Sequence, residues 1–254
     1  MRVITNPQEW KRMMQKVKAS GYTIGFVPTM GALHEGHLSL MRHAKGMTDI
    51  LVVSIFVNPA QFNDPEDLRS YPSTLEQDKR VLQSIGADYL FVPSYEAIYP
   101  DGFTYSVEEK LISKRFCGAA RPGHFTGVLT VVLKLLMLTG ADKAFFGEKD
   151  WQQYRLIKGM SEAFFLDTEI IPSALIREPS GLALSSRNAL LSDKERDIAP
   201  KFHQILSSGE PIKQIIRRLE SAGFVVDYVE QWDDRLLAAV FLGKVRLIDN
   251  VKIA

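Results

Sequence analysis

The sequence predicts an α/β protein: a parallel sheet with helices on both faces, followed by a small C-terminal α+β domain. Three observations predict it. Short β-branched and aromatic runs alternate with segments of helical period up to residue 188. The run at 50–57 is apolar at nearly every position, as suits a strand covered on both faces in a parallel sheet. After Asn188 the pattern changes to polar helices and then closely spaced strands, so the division is drawn at 1–188 and 189–254.

Helical periodicity over 7–19 gives way to a strand over 22–29, which ends in a turn at Pro28, Met30 and Gly31. The next helix starts near Gly36 or His37 and runs to about Ala44, ahead of the strand at 50–57. A loop over 58–71, a charged helix over 73–85 and a strand over 87–92 make a further unit. Residues 126–138 read as a buried helix, 143–146 as a short strand, 151–164 as a helix and 168–174 as a strand. This βαβα alternation implies a Rossmann-like parallel sheet with helices on both faces. Beyond residue 188, two polar helices reach about Ala222, and strands at 224–231, 236–241 and 245–248 read as antiparallel.

Composition excludes several classes of partner. The chain has 254 residues and a net charge of +1, from 31 Lys and Arg against 30 Asp and Glu, so no basic field recommends nucleic acid. The lone cysteine, Cys117, cannot form an intrachain disulfide, and the N-terminus lacks the apolar core of a signal peptide; a reducing cytoplasm is expected. The longest apolar stretch, 128–138, is broken by Lys134 and falls short of the ~20 residues that span a bilayer.

Four segments could carry chemistry. His34, Glu35, Gly36 and His37 stand between the first strand and the next helix. The free N–H groups and dipole of a helix N-terminus attract phosphate, and imidazoles three residues apart share a helical face. Gly31 and Gly36 allow close approach to the backbone, and an adenine nucleotide is the natural ligand. The alternatives are two surface histidines, or a metal pair that lacks the i, i+4 spacing of the helical zinc motif. Phe146, Gly147, Glu148, Lys149 and Asp150 likewise follow a strand and open a helix, so Lys149 should enter the same crevice; a solvated cap is the plainer reading.

The third segment is Leu184, Ser185, Ser186, Arg187 and Asn188, preceded by Gly181, whose hydroxyls and guanidinium suit a polyphosphate as well as they suit an N-cap. Finally, Asn58 and Gln61 follow the most apolar strand, and Gln152 and Gln153 follow Lys149. Amides at strand ends can hold hydroxyl groups of a small substrate. The stretch 116–127, with Cys117, Arg121, Pro122, Gly123 and His124, has the Gly and Pro content of a shaped cavity wall, and nothing but Arg121 and His124 is near enough to activate Cys117 as a nucleophile.

Taken in order, these segments resemble the pantoate-beta-alanine ligase family of the nucleotidylyltransferase superfamily. The resemblance is carried by Pro28-Thr29-Met30-Gly31-Ala32-Leu33-His34-Glu35-Gly36-His37, which holds the superfamily His-x-Gly-His signature, and by Ser54-Ile55-Phe56-Val57-Asn58-Pro59-Ala60-Gln61-Phe62. Arg121-Pro122-Gly123-His124-Phe125, Phe146-Gly147-Glu148-Lys149-Asp150 and Leu184-Ser185-Ser186-Arg187-Asn188 follow in the family's order.

The resemblance implies an adenylyltransferase-type sheet and a ligase that joins pantoate to beta-alanine with ATP and Mg²⁺, through an acyl-adenylate. It places ATP against Met30, Gly31, Ala32, Leu33, His34, Glu35, Gly36 and His37, with His37 as proton donor and His34 as phosphate ligand. Gly147, Glu148, Lys149, Asp150, Ile176, Leu184, Ser185, Ser186 and Arg187 complete the nucleotide site, and Lys149 joins the histidines in catalysis. Gln61 and Gln153, with Asn58 beside them, hold the small substrates. Asp78, after Tyr71-Pro72, is the candidate carboxylate for a Mg²⁺ held mainly by ATP. The resemblance also implies a homodimer. Leu184 stands where methionine is frequent, and the region past Asn188, expected to act as a lid, is short for the family. A related nucleotidylyltransferase that releases no amide, or a sensor that leaves ATP intact, would share the phosphate segments but would not need Gln61 and Gln153.

Overall fold

A computed structural model describes residues 1–253. Six strands, β1 (Arg2–Ile4), β2 (Ile24–Thr29), β3 (Ile50–Ile55), β4 (Tyr89–Phe91), β5 (Lys143–Gly147) and β6 (Glu169–Ser173), form one sheet in the order β1-β4-β3-β2-β5-β6. Every pairing in it is parallel. From β2 the chain steps outward to β3 and β4, then returns to the other side of β2 for β5 and β6. At such a reversal the loops after adjacent strands diverge and leave a crevice at the carboxyl ends, here those of β2 and β5.

The sheet is covered by α1 (Pro7–Ala19), α2 (Glu35–Met47), α3 (Pro65–Arg69), α4 (Leu75–Ser84), α5 (Tyr95–Ile98), α6 (Cys117–Ala120), α7 (His124–Thr139) and α8 (Trp151–Ala163). Helix α1 starts where it does because the Asn6 side chain accepts from the amides of Gln8 and Glu9 and Pro7 occupies the first turn. Its Trp10, Met14 and Val17 form one buried stripe, each worth about 2 kcal/mol of burial. The Trp10 indole stacks on Phe91 at 4.8 Å and donates to Thr139 Oγ1 at 3.1 Å, tying α1 to α7. Helix α7 is apolar nearly all round because it lies under α1 and over the sheet. Its one charge, Lys134, is stretched to Ile98 O at 3.0 Å and Asp101 Oδ1 at 3.1 Å, which is why a lysine can sit in that run.

Three details depart from the sequence reading. Strand β1 pairs with β4 but is only three residues long, too short to show a period. The expected loop over 58–71 contains a 3₁₀ turn at Pro59–Gln61 and the short helix α3, whose N-cap is Asp64. The C-terminal part has three helices, not two: α9 (Asp193–Ile198), α10 (Lys201–Leu206) and α11 (Ile212–Ser221), separated at Pro200 and Pro211.

Behind them β7 (Val225–Trp232), β8 (Arg235–Leu242) and β9 (Val245–Lys252) form an antiparallel sheet. Ile215 and Leu219 of α11 and Phe202 of α10 pack with Ala238 and Val240 in a separate core, which reaches back to Leu182. Among the described residues no helix is long and apolar enough to cross a membrane.

Candidate active site

Two loops meet at the crevice: the one after β2, opening α2, and the one after β5, opening α8. A cavity of about 260 Å³ lies there and brings together Met30, His34, His37, Gln61, Lys149, Asp150, Gln153 and the Leu184, Ser185, Ser186 and Arg187 segment, with Ile176 beside it. Apolar side chains of α7, including Val128 and Val131, form its floor.

The histidines are set by helix capping. His34 is the N-cap of α2, and its Nδ1 accepts from the Gly36 amide at 3.1 Å; His37 Nδ1 accepts from the His34 amide at 3.3 Å. With both Nδ1 atoms accepting, the neutral rings carry their protons on Nε2. Burial, then the neighbouring His34 and Lys149, lower the His37 pKa to about 3, and burial with Lys149 lowers that of His34. The rings lie 4.1 Å apart, and each is a neutral hydrogen-bond donor rather than an imidazolium. A Cβ at Gly36 would come 2.9 Å from His34 Cε1, so glycine is needed for the His34 ring to fold over the helix start.

Asp78 is not an open metal ligand. It is 2% exposed, and its carboxylate accepts from the amides of Ala32 at 3.0 Å and Leu33 at 2.9 Å and from Thr74 Oγ1 at 3.1 Å. It braces the turn in which Gly31 and Ala32 have φ of 84° and 50°, and a Cβ at Gly31 would press against Asp78 Oδ2 at 3.1 Å. The amides of Ala32 and Leu33 are thus committed to Asp78. Glu35 points to solvent and pairs with Arg42, and the Glu148 carboxylate turns away to Arg235 at 3.0 Å. Neither side chain lines the cavity, although the sequence reading assigns both to the nucleotide.

Asn58 is likewise displaced from the direct role expected of it. It is 1% exposed, holds Gln61 Oε1 at 3.1 Å and Gly127 O at 3.2 Å through Nδ2, and accepts from the Tyr99 hydroxyl at 2.9 Å. The contact requires α7 so close that a Cβ at Gly127 would stand 2.3 Å from Ala60 O. Asn58 therefore orients Gln61, whose Nε2 lies 3.3 Å from Met30 Sδ at the cavity wall. The adjacent glutamines part company on α8: Gln153 faces the cavity, while Gln152 is buried and binds Ile112 O and Arg115 O, both at 2.8 Å, and the Cys117 amide at 3.0 Å.

Arg121 and His124 stand in the cavity wall, within the stretch whose Gly and Pro content suggests one. His124 Nδ1 donates to Gln61 O at 2.7 Å, and Arg121 Nη1 approaches Nε2 at 3.4 Å. Burial, then Arg121, lower the His124 pKa to about 4, so this ring too is neutral but with the opposite tautomer. The signal is present in Arg121-Pro122-Gly123-His124 at a helix start, without a partner to give it meaning. Tyr71, noted in the sequence only as part of Tyr71-Pro72, also lines the cavity, and burial raises its pKa.

Among the described residues no three His, Cys, Asp or Glu side chains cluster as a metal cage. Asp150, 3.7 Å from Lys149 Nζ, is the one carboxylate lining this cavity among the described residues.

A crevice at the reversal of a parallel sheet, lined by neutral imidazoles at one helix start and a lysine at the next, defines a nucleotide-using α/β enzyme. Comparison with known proteins narrows that class. Residues 2–252 match the family described as pantoate-beta-alanine ligase, and the chain belongs to that family. It is 48% identical over 254 residues to the pantothenate synthetase of Bdellovibrio bacteriovorus, with 99% of each chain covered. It is 44% identical over 253 residues to that of Coxiella burnetii, covering 100% of this chain and 97% of the relative.

Among solved structures, the pantoate-beta-alanine ligase of Francisella tularensis, complexed with beta-gamma ATP and beta-alanine, superposes with a TM-score of 0.94 at 44% identity, covering 99% of this chain and 97% of that one. Pantothenate synthetase from Thermus thermophilus gives 0.90 at 36% identity, with 99% of both chains covered. The Bdellovibrio bacteriovorus and Thermus thermophilus relatives align with 99% of this chain, so the match runs on through the C-terminal region.

Proposed function

We propose that this chain condenses pantoate with beta-alanine, driven by ATP, through pantoyl adenylate, with release of pyrophosphate and AMP. The observation that carries the reading is the convergence of His34, His37, Lys149 and the Ser185 to Arg187 segment on one cavity whose other wall presents Gln61 and Gln153. Family membership supplies the substrates' identity.

A carboxylate resists attack by an amine because it is anionic and its oxygen leaves poorly. In the first step a pantoate carboxylate oxygen attacks the α-phosphorus of ATP, and the bond to the bridging oxygen of pyrophosphate breaks. In the second, the neutral amine of beta-alanine attacks the acyl carbon, AMP leaves with the electron pair of the cleaved C–O bond, and the nitrogen loses a proton. The first step needs positioning and charge stabilisation rather than covalent help from the protein. The Nε2–H groups of His34 and His37 donate to phosphate oxygens at the start of α2, Lys149 supplies a compact positive charge, and Ser185, Ser186 and Arg187 hold the phosphate chain. With its pKa near 3, His37 donates a hydrogen bond as neutral imidazole; delivery of the proton itself requires the bound phosphates to raise that value. Gln61 and Gln153 engage the pantoate hydroxyls, and Gln61 also meets the amine.

Mg²⁺ fits as an ion carried by the ATP phosphates, with Asp150 as its protein carboxylate, where it would neutralise phosphate charge. Water must be kept from the adenylate, and the C-terminal unit, drawn at 189–254 and seated over a second cavity of about 690 Å³ that shares Lys149 and Arg187, is suited to that lid role. A homodimer and a cytoplasmic location rest on the family resemblance and on the single cysteine.

ATP-pyrophosphate exchange tests the reading. It should depend on pantoate and Mg²⁺ and proceed without beta-alanine; exchange that needs the amine rules out a free adenylate.

A further inference from the structure

The C-terminal sheet reaches into the turn that carries Lys149. Asn250, on β9, donates through Nδ2 to two successive backbone carbonyls, Glu148 O at 2.8 Å and Lys149 O at 3.1 Å. The orientation of that amide is fixed, because Arg235 Nη1 donates to Asn250 Oδ1 at 2.6 Å and leaves only the NH₂ group to face the turn. Arg235 is itself held by the Glu148 carboxylate at 3.0 Å and lies 3.9 Å over the Trp151 ring. Both residues are 4% exposed, so these contacts are shielded from water, with only the Arg235 Nε among their side-chain polar atoms left without a partner.

The neighbour of Asn250 does the same for the opposite wall. Asp249, 3% exposed, receives Arg177 Nη1 at 2.7 Å and Nη2 at 2.9 Å. Arg177 follows Ile176 and pairs with Ala183 in an isolated bridge, immediately before the Ser185 to Arg187 segment. Adjacent residues of one strand therefore grip both phosphate-facing segments of the cavity.

We propose that Arg235 and Asn250 are positioning residues for Lys149, and that β9 sets the separation of Lys149 from the Ser185 to Arg187 segment, so that the C-terminal domain aligns the adenylation site as well as covering it. The physical basis is directional. Lys149 is tethered only loosely at its head, by Asp150 at 3.7 Å, so the path of its side chain is set by the peptide planes of the turn. Hydrogen bonds to two consecutive carbonyls fix those planes, and a displacement of about 1 Å at a charge-stabilising group can cost about 100-fold in rate. The proposal rests on the adenylation reading.

The test is a double-mutant cycle in the full-length chain, read by pantoate-dependent ATP-pyrophosphate exchange. Asn250→Ala removes both donors, and the isosteric Asn250→Asp turns a carboxylate oxygen towards the two carbonyls. Each should lower kcat by about 10-fold to 100-fold while KM for ATP moves by less than about 3-fold. Arg235→Lys, which replaces the planar fork that reaches Asn250 and Glu148 through two nitrogens by a single ammonium, should fall in the same direction. In a Lys149→Ala background the Asn250 variants should cause little further loss, since their effect passes through the missing side chain.

Unchanged exchange in the soluble Asn250 variants overturns the proposal, as does a loss that multiplies in full with that of Lys149→Ala. Gross unfolding of both Asn250 variants also counts against it, because it would assign the network to the fold. If the wild-type chain shows no pantoate-dependent exchange, the adenylation reading itself falls and takes the proposal with it.

Discussion

Arg187 and Asp67 form an ion pair across the mouth of the nucleotide cavity, with Nη2 2.9 Å from Oδ2 and 3.2 Å from Oδ1. The pair joins the segment before α9 to the short helix α3 and occupies the guanidinium proposed above to hold the phosphates. On the proposed role, incoming ATP takes Arg187 from a carboxylate that is itself about one-third exposed, so the pair is worth at most about 1 kcal/mol. Asp67→Asn should therefore tighten ATP binding by up to about 5-fold, measured by calorimetry, whereas Arg187→Ala should weaken it. Equal or weaker binding by Asp67→Asn would show that Asp67 does not compete with the nucleotide.

His34, His37 and Lys149 differ in what they do for the fold. Each changed to Ala should slow pyrophosphate exchange by about 100-fold or more. His34→Ala also removes the cap of α2, at a cost of about 1 kcal/mol and a melting temperature lower by about 2–4 °C. Lys149→Ala should leave the melting temperature unchanged. A Lys149→Ala chain that melts early and retains full exchange would reverse the assignment.

The neighbours Gln152 and Gln153 should separate cleanly. Gln153→Ala should raise KM for pantoate about 10-fold without loss of stability. Gln152→Ala breaks the bonds to Ile112 O, Arg115 O and the Cys117 amide and should cost about 1–3 kcal/mol in chemical denaturation. The same phenotype from both variants would contradict the divergence of their side chains on α8.

His124 makes stability depend on pH. Its folded pKa of about 4 lies below the ordinary 6.5, so the unfolded chain binds more protons between those values. The contribution of a neutral, buried His124 is fully present above pH 6.5 and is lost as pH falls towards 4, at about 1.4 kcal/mol per unit. His37, held at about 3, acts in the same sense. His124→Gln should flatten the fall in melting temperature between pH 7 and about pH 5; an unaltered slope would place the titrating group elsewhere.

Much of this protein is legible in its sequence because local physics writes it there. Period and apolar runs specify β3, α1 and α7, since a strand covered on both faces and a helix with one buried stripe leave unmistakable patterns. The cavity residues His34, His37 and Lys149 are legible for a related reason: strand, turn and helix start stand consecutively in the chain, and that order alone brings backbone amides and side chains to a carboxyl end. What the tertiary structure alone decided is direction and partnership. The sequence could not show that Asp78 is consumed by the amides of Ala32 and Leu33, that Asn58 acts through Gln61, or that Gln152 and Gln153 face opposite ways. Nor could it show that Asn250, about a hundred residues further on, closes on the turn of Lys149. These contacts join elements far apart in sequence, and a hydrogen bond leaves no period in the chain; its partners become definite only when packing has fixed where each donor points.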